Sequence, residues 1–131
     1  MAGSKTVAQS EYVLDLMLVQ GTVHVALFTD MTGAEASTPV EVTGAGYTRL
    51  QGSFTVSPTT TGAKAVLNAE LNFGPCAEPT GWGEIKGFGI YQGATPGAGT
   101  LLYFGDLTNP RTINDTDIVR FAVNSIEIDE S

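Results

Sequence analysis

The chain has 131 residues, the size of one domain, and that length can bury a core without disulfide staples. Its 14 acidic and 6 basic side chains leave a net charge of -8, and the basic residues Lys5, Arg49, Lys64, Lys86, Arg111 and Arg120 are scattered. That excludes the concentrated positive surface that direct nucleic-acid binding needs. The lone Cys76 excludes an internal disulfide, and no apolar run is long enough to span a membrane.

In chain order, residues 1–9 show no periodicity and are expected to form an N-terminal arm, with a single domain over 10–131. The start Met-Ala-Gly-Ser-Lys lacks a basic region followed by an apolar core, which points to synthesis in a cytoplasm. Ser10 is placed to cap a helix, with Glu11 favouring its dipole. Tyr12 to Val19 supply an apolar helix over 10–20, ended by Gly21. From Thr22 the period becomes two. In strand 22–29, Val23, Val25 and Leu27 face one side, and His24, Ala26 and Phe28 the other, so both faces are expected to be covered.

Pro39 to Thr43 reads as a short edge strand, because proline is confined to strand starts and edges. Leu50, Gly52, Phe54 and Val56 alternate with polar residues, as do Ala65, Leu67, Ala69, Leu71 and Phe73 after the Ser-Pro-Thr-Thr-Thr-Gly turn. Each run predicts a half-buried antiparallel strand. A Pro/Gly loop leads to Trp82 and the strand GEIKGFGIYQG. TLLYFGDL follows, then a short strand at Arg111 to Ile113. In the last strand, Val119, Phe121 and Val123 hold one register while Ile126 and Ile128 need the other, which predicts a β-bulge near Asn124 or Ser125. The pattern is all-β: an antiparallel sandwich or jelly roll of about seven or eight strands, preceded by the short α-helix.

Little in the chain points to catalysis. His24 is the only histidine and lies within an apolar strand, so a triad or two-histidine metal site is incomplete. It reads as a core or interface histidine with one hydrogen bond. Cys76, between prolines, reads as a structural thiol. Asp115 and Asp117 share the D-x-D spacing of metal loops, but Asn114–Asp117 is more simply a turn in which Asn and Asp bond their own backbone. No enzyme activity, metal or cofactor is expected. Trp82 reads as a core ring plugging one end of the domain. The alternative is a sugar platform shared with Phe88, Tyr91, Tyr103 and Phe104.

Three blocks carry a family resemblance: VHVALFTD (23–30), the G-x-G-Y-x-R of Gly44 to Arg49, and the long run from Gly81 to Phe121. Together they make the chain resemble a family of small bacteriophage virion proteins, often labelled phage tail fibre proteins. The resemblance implies a virion component without catalysis, partnered by the major capsid protein or other virion proteins. The chain has neither heptads nor repeats for a fibre shaft. The leading expectation is therefore a capsid decoration (cement) protein. A tail, fibre or neck accessory subunit is the alternative, and a host-glycan-binding module the second. The charged fraction of 15% is low for a surface facing only water. With the apolar helix and the doubly apolar first strand, it leads us to expect a homo-oligomer with Tyr12, Leu16, Val19, Phe28, Trp82 and Tyr91 at the subunit interface, and the resemblance to decoration proteins implies a trimer.

Overall fold

A computed structural model describes residues 14, 18, 22–34, 39–60 and 62–130. Ten strands lie among them: β1 (His24–Asp30), β2 (Val40–Glu41), β3 (Leu50–Gln51), β4 (Phe54–Pro58), β5 (Ala63–Leu67), β6 (Leu71–Phe73), β7 (Gly83–Gln92), β8 (Thr100–Ile113), β9 (Val119–Phe121) and β10 (Glu127–Glu130). All pair antiparallel, as the alternating patterns predicted. The arm (1–9) and the helix (10–20) lie outside the described residues except for Leu14 and Leu18, which are both buried in the main core.

Five strands form one sheet in the order β2-β1-β7-β8, with β3 also on β1 beside β2. A three-stranded sheet runs β10-β5-β4, and β6 pairs with β9. One core draws on all three: Val25, Leu27, Ile85 and Ile90 from the large sheet, Phe54, Ala65, Leu67 and Ile128 from the second, Phe73 and Phe121 from the third. The expected edge strand at Pro39–Thr43 is β2. Both faces of β1 are covered as anticipated. Val25 and Leu27 enter the main core, while Ala26 and Phe28 meet Tyr91, Met31 and Leu101 on the other side.

The strand count exceeds the expectation because three stretches read as single strands change sheets midway. Leu50–Val56 divides at Gly52 into β3 and β4. Ala65–Phe73 divides at Asn68–Glu70 into β5 and β6, and Ala69 is exposed rather than inward. The parity of buried residues survives both breaks, so alternation could not reveal them. The last strand divides where a bulge was expected, but the device is a turn. Asn124 takes φ 72°, and the Ser125 N–H donates to the Ala122 carbonyl at 3.1 Å. Corners of this kind let short strands wrap one core from several sides.

The opposite error occurs at β8. Two expected strands are one of 14 residues, in which the register passes from Gly87↔Asp106 to Ile85↔Arg111. Leu107–Pro110 therefore bulge out opposite Lys86. Such a bulge absorbs Pro110, which a regular ladder would not accept.

Candidate functional site

The site is built by a turn between two very short strands. After β2 the chain reverses through Gly44–Tyr47, with the Tyr47 N–H donating to the Gly44 carbonyl at 3.3 Å. Gly46 takes φ +88°, and a Cβ there would sit 2.6 Å from the Pro75 carbonyl oxygen. Gly44 lies under Trp82, where a Cβ would stand 2.6 Å from Cδ1. Both glycines are therefore required: one by conformation, one by close approach.

The turn delivers Tyr47 and Arg49 to Glu41. Arg49 is the only buried polar or charged residue among the described residues, and its side chain is 0% exposed. Its Nε donates to Glu41 Oε2 at 2.9 Å and its Nη2 to Oε1 at 2.8 Å, a bidentate pair. Its Nη1 donates to the carbonyls of Gly93 at 3.1 Å and Ala98 at 2.8 Å. The guanidinium carbon stacks 3.7 Å from the centre of the Tyr91 ring. Glu41 also accepts from the Tyr47 hydroxyl and from the Gly97 N–H at 2.8 Å. The Tyr47 oxygen in turn accepts from the Leu27 N–H at 3.1 Å. This cluster ties the 93–99 loop, the β2 edge and β1 to one another.

The charges are set by these contacts. Burial pushes the Glu41 carboxyl up, but the Arg49 and Tyr47 hydrogen bonds, the Gly97 N–H and the Arg49 charge outweigh it and hold it below the usual carboxylate range. Burial, and then the hydrogen bond to Glu41, raise the Tyr47 phenol far above its ordinary value. Burial also raises Tyr91, reinforced by the Glu41 charge.

Beside the cluster opens a cleft of about 720 Å³ between Pro39–Gly44 and Pro96–Gly99, with Tyr47 and Tyr91 at its base. The one carboxylate lining it is already satisfied: Glu41 takes four donors, two to each oxygen. The arrangement acts as a clamp. It offers neither a nucleophile beside a base nor an open carboxylate.

An aromatic column leads inward from the clamp. Trp82 meets Tyr47 edge-on at 5.8 Å, Tyr47 stacks on Phe73 at 6.3 Å, and Phe73 meets Phe121 edge-on at 5.8 Å. Trp82 is 6% exposed, and its Nε1 donates to the Ala45 carbonyl at 3.0 Å. It is the core ring the sequence suggested, and its face is not a sugar platform.

Of the residues nominated for an interface, Phe28, Trp82 and Tyr91 are buried within the chain at 0%, 6% and 7% exposure. Phe28 and Tyr91 meet edge-on at 6.1 Å, whereas Trp82 packs on Tyr47. Tyr12, Leu16 and Val19 lie outside the described residues. His24 is half-buried, and its Nδ1 has no hydrogen-bond partner, so the single bond expected there is not made by that atom. Cys76 is buried, its thiol 3.7 Å from the Glu78 carbonyl. Asn114–Asp117 is the turn it was read as. The Asp117 carboxylate accepts from the Asn114 N–H at 2.9 Å, and among the described residues no three His, Cys, Asp or Glu side chains converge as metal ligands.

Sequence reasoning missed Glu41, Tyr47 and Arg49 as a unit. The one available signal was the G-x-G-Y-x-R block, whose two glycines, tyrosine and arginine all prove to be parts of the clamp. A family model described as Podophage GP4 fiber I protein gp80 matches residues 17–129. No curated protein matches the chain.

Proposed function

We propose a function from one premise: the chain belongs to the podophage GP4 fiber I protein gp80 family. It is a virion component assembled in the host, and its role is structural. The proposal is that it serves as a non-enzymatic subunit of the fibre, held there by contacts with other virion proteins. The match over residues 17–129, which takes in nearly every strand, carries this reading. Capsid decoration was the leading expectation from the sequence. The family description favours the fibre alternative instead, and we adopt that alternative.

Two structural features support a role without catalysis or glycan capture. The Glu41 carboxylate beside the cleft is saturated by four donors, and the rings of Trp82 and Tyr91 are buried. We read the shared core of the three sheets as a sandwich of the jelly-roll kind, with residues 1–9 as an arm that docks the subunit. Self-association belongs to the same reading. Localising the protein in a reconstruction of the virion tests it. Density at the fibre is the expected result, and density on the outer capsid shell would restore the decoration reading. Particles lacking residues 1–9 should show reduced occupancy at the same place. Unchanged occupancy would remove the arm from the proposal.

A further inference from the structure

Among the described residues, one long strand edge has no partner strand. β8 ends the order β2-β1-β7-β8, so its backbone donors and acceptors on the side away from β7 meet no described strand. Exposed edges of this kind are templates for pairing, and proteins blunt them with charge, proline, bulges or short length. The other outer edges among the described residues are blunted. β2 and β3 have two residues each, β6 and β9 three, β4 ends at Pro58, and β10 carries Glu127 and Asp129. The second half of β8 is blunted too, by the Leu107–Pro110 bulge. Its first half has a single-residue bulge at Leu102 and is regular from Tyr103 to Asp106.

In that first half, Tyr103–Asp106 holds strict register with Ile90–Gly87, and Thr100–Gly105 carries no charge at all. On a chain of net charge -8, an uncharged edge is where two copies can approach without like charges opposed. Phe104 stands on this edge at 42% exposure, while its cross-strand neighbour on β7 is Gly89. Tyr103 packs toward the main core, and Gly105 lies under the Phe88 ring on that same side.

We infer that β8 pairs antiparallel with β8 of a second copy of this chain, about a two-fold axis at Phe104. That axis keeps the two main cores on the same side of the joined sheet. It sets Phe104 opposite the partner's Phe104 on the outer face, and Tyr103 opposite the partner's Gly105 on the core side. Asp106 then falls beside the partner's Leu102 bulge, away from the partner's own carboxylate. The contact is isologous and joins two large sheets into one continuous sheet. It closes with two copies, where the resemblance to decoration proteins implied three. The inference rests on the reading of the chain as a structural subunit that associates with its own kind.

Sedimentation velocity of the full chain across a concentration series, up to about 100 µM given how weak so short a contact is alone, tests it. The expected result is a rise toward twice the monomer mass, with amide exchange slowing in Leu102–Asp106 as concentration increases. Phe104→Glu sets two carboxylates face to face at the axis and should return the protein to monomer. Thr108→Glu adds the same charge inside the bulge and should leave the dimer intact. A monomer at every concentration would overturn the inference. So would a trimer, or a dimer without slowed exchange at Leu102–Asp106. Occupancy of the protein in purified virions is measured separately, so loss of the pairing would leave the fibre reading standing.

Discussion

The two flanks of the large sheet solve the same problem in opposite ways. On one flank β2 and β3 offer two residues each, too few for ladder hydrogen bonds to hold them, and the side chains of Glu41, Tyr47 and Arg49 do it instead. On the other, β8 runs 14 residues against β7 and needs no side-chain clamp, but no described strand pairs its far edge. A short edge held by buried polar groups is specific and closed to partners. A long edge held by backbone is stable and available to them.

The largest effect should come from breaking the clamp. Arg49→Ala leaves the Glu41 carboxylate buried beside an empty space, so stability should fall by about 3–5 kcal/mol, as expected when one partner of a buried pair is removed. A melting temperature near wild type would mean that water or a new partner replaces the guanidinium, and would weaken the contrast between the flanks. Trp82→Ala should lie in the same range, about 3–5 kcal/mol, because it opens a cavity at the head of the aromatic column and removes the bond to Ala45. An unchanged melting midpoint would reopen Trp82 as a binding aromatic.

Tyr47→Phe is subtler. The ring remains on Phe73 and Trp82, but the Leu27 N–H loses its acceptor and Glu41 a donor, for a loss of about 1–3 kcal/mol. Chemical denaturation of the two proteins side by side measures it. A loss under half a kilocalorie, well below that range, would mean water fills the position.

Acidification probes the same flank reversibly. The Glu41 carboxyl sits below its ordinary value of 4.5, so its contribution to stability is fully present above that pH and is lost as pH falls through the lowered value. Amides of Gly93–Gly99 should then exchange faster, and Glu41→Gln should flatten this part of the stability profile. Identical acid profiles for the two proteins would mean other carboxylates govern the transition. The smallest effect belongs to the open flank. Phe104→Glu should change the stability of the monomer by no more than about 0.5 kcal/mol. A large loss would mean that Phe104 supports the core, and that its exposure is not a mark of pairing.

The strands were legible in the sequence wherever one face is wet and the other buried. β1, β7 and the β4–β5 hairpin appear close to where alternation placed them. Corners were not legible, because Gly52 and Asn68–Glu70 turn the chain without disturbing the parity on either side. The clamp was half visible. Its glycines, Tyr47 and Arg49 stood together as a block, but nothing in that block names Glu41, or the carbonyls 44 and 49 positions further on that complete the arginine's shell. A buried arginine looks like any other arginine until its partners are known.

What the sequence by itself determined is the all-β class, the antiparallel pairing and the burial of Trp82. These follow from period-two hydrophobicity, from turn residues and from the size of one ring, all properties of neighbouring positions. The tertiary structure alone decided which strands share a sheet, that Arg49 is enclosed and that no described strand pairs the outer edge of β8. Each of those depends on groups far apart in the chain meeting, or failing to meet, and hydrogen-bond partners at such separations leave no periodic trace.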